Sequence, residues 1–409
     1  MSNHNQKTLY GLPGKVQYCT ECVISNQRPS SIPEFTHQKD SVKPTIQFDK
    51  NGVCDACNHN SIKAKVNWQN RERELLQLLD KHRKNNGEYD CIVPGSGGKD
   101  SAFAAHVLKY KYGMNPLTVT WPPILYTDYG LENFNNWLSI GGFANYSCRP
   151  NGRAMRILTR LSIENLFHPF QTFILGQKNV AARVATEMGI PLVFYGENEA
   201  EYGNPIADNS SSTRDPSFFS NANVQELYLA GQRIKDICEN HDLTLNDLKP
   251  FLPIDDTVLK KSKVEVHYLG YYLKWSPQEI YYYAVENTGF KARPYRTQGT
   301  YSKYNSIDDK IDDLHYYTTF IKFGIGRASY DASQEIRNGH LTREEGIALV
   351  SRFDGEYPDK YIEETLDYVG INLEYFRQLA DTFRPPHLWR KVDNEWRLRH
   401  TVAATGCDD

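Results

Sequence analysis

The sequence predicts an α/β protein with a doubly wound parallel sheet, a small metal-binding module before the sheet and a mostly helical part after it. Three observations lead to this fold class. Two Cys-x-x-Cys pairs stand near the N-terminus, an apolar segment runs from Tyr89 through a glycine-rich turn into a helical pattern, and the C-terminal third is rich in helix-start signals. A chain of 409 residues can hold several such units. We place them at residues 1–65, 66–255 and 256–409.

Composition and charge argue against several classes of protein. The formal net charge is −3, whereas a domain that mainly binds nucleic acid usually has a strongly basic balance. No apolar run approaches the about 20 residues that a membrane-spanning helix needs. The N-terminal sequence MSNHNQKTLYGLPGK has no apolar segment typical of a secretion signal. We therefore expect a cytoplasmic protein that binds neither membranes nor nucleic acid.

The N-terminal module contains four cysteines in two pairs, Cys19 with Cys22 and Cys54 with Cys57. Two such pairs can place four thiolates tetrahedrally around a zinc ion. The polar segment between them ends in a strand-like TIQFD and a turn, KNG, which is typical of a zinc ribbon with an enlarged loop. Because cysteine fills all four positions, we expect a structural zinc and no open position for metal catalysis.

The loop after the first predicted strand is suited to binding a phosphate. The apolar YDCIVPGSGG ends in glycines, and DSAFAAHVLKYKYG then has helical periodicity. Gly97 and Gly98 would let backbone amides approach an anion, which the helix N-terminus and Lys99 would also attract. Ser96 and Ser101 would add hydroxyl groups. Neither the Walker A pattern nor the dinucleotide G-x-G-x-x-G pattern fits these glycines.

Two more predicted strands end in residues that could meet a nucleotide. The segment NPLTVTWPP forms a strand that ends at Thr120 and Trp121, which would lie near an adenine or ribose. The strand at 190–195 is followed by a polar, acidic cluster at 196–202. Ligands bind at the carboxyl ends of parallel strands, so we expect both ends to open on the same crevice as the glycine loop. The carboxylates could bind magnesium with ATP, and a solvated loop is the alternative. Upstream residues that could face phosphate, or simply the solvent, are Arg153, Arg156, Arg160, Gln177 and Lys178.

The C-terminal third predicts mostly helices after a strand-like VEVHYLGYYL. Helix-start signals stand at Ser276, with Glu279 as its capping-box partner, and at Thr342, with Glu345. The basic, aromatic segment at 290–306 is a candidate substrate loop or an ordinary connection. This third could bind a substrate, dock a partner or mediate dimerisation, and the sequence does not choose between these roles.

The hexapeptide S-G-G-K-D-S resembles the pyrophosphate loop of the PP-loop ATPases, the adenylating superfamily with the adenine nucleotide alpha hydrolase-like fold. The order of the cysteine pairs, this hexapeptide, GQKN and YGENEAEYG is similar to that of the N-acetyl sugar amidotransferases of the WbpG and PseA type. These proteins act in the biosynthesis of surface polysaccharide, such as lipopolysaccharide O-antigen, and of nonulosonic acids. The similarity runs over most of the chain. The hexapeptide identifies the superfamily, and the combination of motifs points to this branch.

The resemblance implies an ATP-dependent enzyme that releases AMP and converts an acetamido group of a nucleotide-activated sugar into an acetamidino group. ATP with magnesium would adenylate the amide oxygen, and ammonia would then replace the AMP. The resemblance also implies that ammonia comes from partner subunits similar to the glutaminase and cyclase of histidine biosynthesis. This chain has no glutaminase signature of its own.

On this basis we expect three groups of site residues. Those for ATP are Ser96, Gly97, Gly98, Lys99, Asp100, Ser101, Thr120, Gly196 and Asn198; the catalytic group is Lys99, Asp100, Glu197 and Glu201; and those for the sugar are Lys178 and Tyr202. Two alternatives stay open. A PP-loop tRNA-thiolating enzyme is one, although no Cys-x-x-Cys follows the hexapeptide. A non-catalytic binding protein built on the zinc ribbon is the other, although it leaves the glycine loop unexplained.

Overall fold

The structure is a computed structural model that describes residues 7–32, 34–196, 211–221 and 223–404. In these ranges the strands are β1 (Cys91–Pro94), β2 (Pro116–Thr120), β3 (Asn145–Ser147), β4 (Leu192–Tyr195), β5 (Ser220–Asn221), β6 (Tyr228–Leu229), β7 (Gln232–Arg233), β8 (Ile254–Asp255), β9 (Glu265–Tyr268), β10 (Trp389–Val392) and β11 (Glu395–Leu398). The α-helices are α1 (Asp55–Lys63), α2 (Trp68–His82), α3 (Lys99–His106), α4 (Asp128–Ser139), α5 (Gly152–Leu166), α6 (Gln171–Met188), α7 (Ile234–His241), α8 (Leu245–Leu248), α9 (Asp256–Ser262), α10 (Leu269–Tyr272), α11 (Pro277–Thr288), α12 (Asp312–Phe323), α13 (Arg327–Arg337), α14 (Arg343–Phe353), α15 (Ile362–Val369) and α16 (Leu373–Thr382).

Five of the described strands form a central sheet in the order β3–β2–β1–β4–β9, with every neighbouring pair parallel. The chain adds β2 and β3 on one side of β1 and then returns to the other side for β4 and β9. This reversal of strand order opens a crevice at the carboxyl ends of β1 and β4. The expected α/β fold with a parallel sheet is therefore confirmed.

Alternate residues of the strands enter two different hydrophobic cores. Ile92 and Val193 pack in the core that includes α5 and α6, whereas Val93 and Phe194 pack in the core that includes α2, α3 and α11. Successive side chains of a strand point to opposite faces of its sheet. Helices therefore cover both faces, which explains why these strands read as continuous apolar runs in the sequence.

The sheet continues past residue 255, the expected end of the central unit. Its last strand is β9, which pairs with β4 from Leu192 opposite Glu265 to Tyr195 opposite Tyr268. The segment VEVHYLGYYL was expected to contain a strand, but a strand pattern does not show which sheet the strand will join. The boundary at 255 therefore separates β9 from the sheet to which it belongs.

The N-terminal module packs against the C-terminal helices and not mainly against the sheet that follows it in the sequence. The buried cysteines share a hydrophobic core with Ile325, and Val23 packs with Ala332 of α13 and Val402. Arg343 of α14 donates hydrogen bonds to the carbonyl groups of both Cys19 and Cys22. The expected strand TIQFD forms only single bridges, at Thr45 and Phe48.

The C-terminal region is mostly helical, as expected, and ends in the antiparallel pair β10–β11. One of its two expected capping boxes forms. Thr342 and Glu345 bond each other's backbone N–H groups at the start of α14, whereas the Ser276 side chain makes no cap bond at the start of α11. The prediction of a capping box at Ser276 is therefore wrong. Among the described helices, none is both long enough and apolar enough to cross a bilayer.

Candidate active site between the sheet and the C-terminal helices

A cavity of about 530 Å³ lies between the carboxyl edge of the sheet and the C-terminal helices. The sheet side includes Ser96, Gly98, Lys99, Asp100, Ser101, Trp121, Gln177, Lys178, Tyr195 and Gly196. The opposite side includes Tyr304, Asn305, Ser306, Asp308, Asp312, His315, Tyr316, Arg327 and Asp331, and Arg28 joins it from the N-terminal module. All three parts of the chain therefore contribute to one cavity.

The two central glycines of the loop have different surroundings. Gly97 has φ +86°, and a Cβ there would lie 2.7 Å from the Cα of Phe134 and 2.8 Å from the carbonyl oxygen of Asn133. Gly98 is the N-cap of α3, and a Cβ there would meet no atom within 4 Å. Gly97 therefore lets the loop pack against α4, whereas Gly98 leaves open space at a helix N-terminus, where an anion is favoured.

The polar groups of the loop are held in place before any ligand binds. Lys99 Nζ lies 2.7 Å from Asp100 Oδ2, and the Lys99 side chain is only 11 % exposed. Ser101 Oγ donates a hydrogen bond to the carbonyl oxygen of Gly98 at 3.0 Å. The loop thus presents a restrained ammonium group and a helix N-terminus to the cavity, and both attract phosphate.

A direct contact joins the loop to the C-terminal region. Ser96 Oγ donates a hydrogen bond to Asp308 Oδ2 at 2.7 Å. The next residue, Asp309, accepts backbone N–H groups of Ile124 at 2.6 Å and Leu125 at 3.3 Å, after β2. Burial raises the pKa of Asp309 to about 7 even though these N–H groups favour its charged form. The segment at 307–309 therefore fixes the C-terminal region to the carboxyl edge of the sheet.

The opposite wall combines acidic, basic and aromatic side chains. Arg327 Nε lies 2.9 Å from Asp331 Oδ1, and Arg327 also donates to the hydroxyl of Tyr316. Burial, followed by the nearby Asp308 and Asp309, raises the pKa of Asp312 well above its usual value. Burial also lowers the pKa of His315 to about 3, which keeps its ring neutral. This wall can therefore donate and accept hydrogen bonds, as recognition of a polar substrate requires.

Most of the expected site residues in the described ranges line the cavity, but Gly97 and Thr120 do not. The Thr120 side chain is fully buried, and its Oγ1 accepts a hydrogen bond from Asn145 at 2.8 Å. Trp121, expected at the same strand end, lines the cavity, and its buried indole N–H has no hydrogen-bond partner among the described residues. Successive strand residues point to opposite faces, so two neighbouring side chains at a strand end do not both face the site.

Other expected contacts also differ from the structure. Arg153 and Arg160 bond Asp242 and Glu164 on the outside of the protein and do not line the cavity, and neither does Arg156. The end of the 290–306 segment does line it, through Tyr304, Asn305 and Ser306. Four expected residues lie outside the described ranges: Glu197, Asn198, Glu201 and Tyr202.

The C-terminal wall was not identified from the sequence. Asp308, Asp312, Arg327 and Asp331 belong to no motif and lie far along the chain from the loop that they face. The only local signal was the aromatic, basic composition of the preceding segment. Their grouping follows from the tertiary fold alone.

The four paired cysteines form a candidate structural zinc site. Their sulfur atoms all lie within 4.8 Å of one another, with Cys19 Sγ 3.9 Å from Cys57 Sγ and Cys22 Sγ 3.8 Å from Cys54 Sγ. Tetrahedral zinc with Zn–S bonds of about 2.3 Å requires S–S distances of about 3.8 Å. Backbone N–H groups of Glu21, Cys22 and Cys54 point at Cys19 Sγ, as in a metal-binding knuckle. These residues therefore fit zinc.

Comparisons with known proteins show that the C-terminal region is similar to a described protein family. Residues 298–402 match the family described as "LPS biosynthesis protein WbpG-like, C-terminal domain". The chain is 35% identical over 77 residues to "Uncharacterized protein MJ1599" of Methanocaldococcus jannaschii, a match that spans 19% of this chain and only 27% of that protein. It also matches a structure of NMN synthetase from Francisella tularensis with 17% identity and a TM-score of 0.23, over 34% of this chain and 58% of that one. That structural likeness is too weak to support an argument. The region that is WbpG-like is the region that builds the wall of the cavity opposite the glycine loop.

Proposed function

We propose that this protein is an ATP-dependent, AMP-forming amidotransferase that converts the acetamido group of a nucleotide-activated sugar into an acetamidino group. The observation that carries the proposal is the arrangement of the cavity. The S-G-G-K-D-S loop stands at the carboxyl edge of a parallel sheet, and a WbpG-like region faces it across the same space. One wall thus suits a nucleotide phosphate, and the other belongs to a region similar to that of polysaccharide biosynthesis proteins.

The glycine loop would bind the β and γ phosphates of ATP. The open space at Gly98, the N-terminus of α3 and the Lys99 ammonium group all favour a bound anion there. Asp100 and Asp308 offer carboxylate oxygens, the ligand type that magnesium prefers in proteins, and a magnesium ion would neutralise phosphate charge. Lys178 and Gly196 complete this side of the cavity.

The chemistry needs no covalent protein nucleophile. The amide oxygen of the sugar attacks the α phosphorus of ATP, an O–P bond forms and pyrophosphate leaves. Ammonia then adds to the activated carbon, and AMP leaves with the electrons of the C–O bond. The protein would hold the two substrates in line and stabilise the developing charges, which is the usual origin of such rate enhancement.

The reaction also requires a source of ammonia. We propose that partner subunits similar to the glutaminase and cyclase of histidine biosynthesis supply it. The product would serve the biosynthesis of lipopolysaccharide O-antigen, another surface polysaccharide or a nonulosonic acid. The WbpG-like region supports this assignment over tRNA thiolation, and the phosphate loop supports it over a non-catalytic binding protein.

The identity of the cleaved nucleotide bond tests the proposal. The protein is incubated with ATP, magnesium, ammonium chloride and UDP-N-acetylglucosamine or other nucleotide-linked N-acetyl sugars. We expect AMP, pyrophosphate and a sugar product in which NH has replaced one oxygen, detected by mass spectrometry. Release of ADP and orthophosphate, or AMP release that depends on tRNA and not on a sugar nucleotide, would contradict the proposal.

A further inference from the structure

A second, smaller cavity adjoins the candidate active site. It has a volume of about 340 Å³ and lies between α11, the 301–305 segment and the end of α13. Tyr304, Asn305 and Asp331 line both cavities, so these three residues form a shared wall. A small molecule in the second cavity is therefore separated from the nucleotide site by one layer of side chains.

Two buried carboxyl groups line the second cavity, and the cationic Lys303 lies at its exposed edge. Glu335 and Asp331 are 7% and 4% exposed, so both carboxyl groups are buried at its wall. The hydroxyl of Tyr301 is buried there and has no hydrogen-bond partner among the described residues. Tyr281 stacks on Tyr304 with 4.3 Å between ring centroids, which adds aromatic faces. Carboxylates, phenol oxygens and aromatic faces suit a small cation that carries several N–H donors.

Hydrogen bonds connect Glu335, in the wall of this cavity, with the more exposed His340. Glu335 Oε2 lies 2.6 Å from His340 Nδ1, and Tyr304 donates to Glu335 Oε1 at 3.3 Å. The side chain of Glu335 is 10% exposed, whereas that of His340 is 25% exposed. A proton received by Glu335 in the interior can therefore pass to His340 and leave at the surface.

The main cavity holds charges of both signs. Its lining includes Arg28, Lys99, Lys178 and Arg327 together with Asp100, Asp308, Asp312 and Asp331, and Lys99 pairs with Asp100 as Arg327 does with Asp331. Charge alone therefore does not exclude ammonium from this cavity. ATP and a nucleotide sugar would both occupy it, so the small third substrate needs a separate route once they are bound.

We propose that the second cavity is the entry port through which ammonium binds and ammonia reaches the candidate active site. This inference rests on the proposed amidotransferase function. Ammonium binds beside Glu335, one of its N–H bonds breaks, and the proton is taken up by the Glu335–His340 pair. The neutral ammonia that remains crosses the shared wall of Tyr304, Asn305 and Asp331, where the hydrogen bond from Asn305 Nδ2 to Asp331 Oδ1 has to open. It emerges beside Lys99, whose Nζ lies 5.9 Å from the ring centroid of Tyr304.

Two substitutions test the port, and each has a matched control. Ala292→Phe fills the cavity and Glu335→Gln removes its buried charge, whereas Ala292→Ser and Glu344→Gln change little because Ser is small and Glu344 is exposed. We expect both test variants to raise the KM for ammonium at least about tenfold, the scale of one lost charge-assisted hydrogen bond. Sugar-dependent exchange of pyrophosphate into ATP, which needs no ammonia, should stay within about twofold of the wild type. Unchanged ammonium titration, or an equal loss of exchange, would overturn the proposal.

The source of the ammonia can be separated with the same variants. One assay uses ammonium chloride, and a second uses glutamine with a glutaminase partner. A defect of Ala292→Phe in both assays means that the port also receives channelled ammonia. A defect with ammonium chloride alone means that the port serves ammonium from solution.

A structural measurement keeps the port testable if the proposed function fails. If the wild-type protein shows neither exchange nor AMP release, the amidotransferase assignment is wrong. Crystals soaked in a thallium(I) salt, a cation similar in size to ammonium, should still show an anomalous peak between Glu335, Asp331 and Tyr301. That peak should be lost in Glu335→Gln. Absence of the peak in the wild-type protein would overturn the cation site itself.

Discussion

At the scale of single residues, the two central glycines of the loop are expected to have different roles, Gly97 in packing and Gly98 in phosphate binding. A methyl group at Gly97 would strike the backbone of α4, and φ +86° is unfavourable for any residue with a Cβ. A methyl group at Gly98 would instead project into open space at the start of α3. Neighbouring positions that look equivalent in the sequence are therefore expected to fail in different ways.

Gly98→Ala and Gly97→Ala form a matched pair. Gly98→Ala should weaken ATP binding at least about tenfold, because its methyl group occupies the space proposed for phosphate, and should cost at most about 1 kcal/mol of stability as an N-cap change. Gly97→Ala should lower the free energy of unfolding by about 1–3 kcal/mol through backbone strain. Isothermal calorimetry and urea unfolding measure the two quantities. Normal ATP affinity in a folded Gly98→Ala variant would show that phosphate binds elsewhere.

The raised pKa values of two buried carboxyl groups predict how the free energy of unfolding depends on pH. Burial raises the pKa of Asp309 and of Asp313 to about 7, so the folded state disfavours their charged forms. A raised carboxyl pKa contributes stability that is fully present below the unfolded pKa near 4 and is lost as the pH rises through about 7. Asp309→Asn should therefore flatten the fall in unfolding free energy across this window, by at most about 1.4 kcal/mol per pH unit.

The exposed Asp255 provides the control for this prediction. Hydrogen bonds from the Thr257 side chain, then from backbone N–H groups, lower the pKa of Asp255 at the start of α9. A lowered carboxyl pKa affects stability only at more acidic pH, so Asp255→Asn should leave the slope between about pH 5 and pH 7 unchanged. Urea unfolding at several pH values measures all three proteins. Parallel curves for the wild type and Asp309→Asn would refute the assignment.

The sequence predicts the parts of the site whose residues are close together in the chain, and it does not predict the parts that are built from distant segments. The cysteine pairs and the glycine loop are local patterns whose chemistry can be read from a few adjacent residues. Asp308 and Arg327 contact their partners only because distant segments meet in the fold, and no local pattern marks them. Of the two residues expected at the end of β2, Trp121 lines the cavity and Thr120 does not, because a strand pattern does not show which side chain at its end will face the crevice.

At the scale of secondary structure elements, the two helix starts with the same sequence signal differ in their contacts. Thr342 and Glu345 form a complete capping box, whereas the buried Ser276 Oγ has no hydrogen-bond partner among the described residues. Thr342→Ala should therefore cost about 1 kcal/mol of unfolding free energy, and Ser276→Ala should be close to neutral. Urea unfolding of both variants measures the two changes in unfolding free energy. A larger cost at Ser276 would show that its hydroxyl has a partner after all.

The zinc module is expected to stabilise the helices on which it packs. Native protein should contain one zinc ion per chain, because four cysteines fill one tetrahedral site. Cys54→Ser, or treatment with a chelator, should remove the metal and lower the soluble yield, since metal binding and folding are coupled. Increased hydrogen exchange should extend to α14, because Arg343 binds the carbonyl groups of Cys19 and Cys22.

Cys148 provides the control for the zinc prediction, because it lies on the central unit and outside the four-cysteine cluster. Cys148→Ser should retain zinc and show normal exchange in α14. Mass spectrometry of the metal content and of hydrogen exchange gives both readouts. Native protein without zinc would refute the structural role of the cluster.

At the scale of the whole molecule, the order of units along the chain differs from their order in space. The N-terminal module and the C-terminal helices pack together, and both reach the cavity that the sheet opens at its carboxyl edge. The sequence predicts the separate units because each has its own local pattern, a metal-binding spacing, an apolar strand or a capping box. Their mutual contacts could not be predicted, because they depend on tertiary packing and not on periodicity. The candidate active site exists only where these units meet.

The contact between Ser96 and Asp308 tests whether the glycine loop and the C-terminal region form the phosphate site together. The two residues are separated by 212 positions and joined by a hydrogen bond of 2.7 Å at the edge of the proposed phosphate site. In a double-mutant cycle of Ser96→Ala and Asp308→Asn without ligand, we expect a coupling free energy of about 1–2 kcal/mol in urea unfolding. With saturating ATP and magnesium the coupling should become smaller, because the phosphate and the metal would compete for both side chains. Equal coupling with and without ATP would show that this hydrogen bond is a purely structural link and that the nucleotide binds away from Ser96.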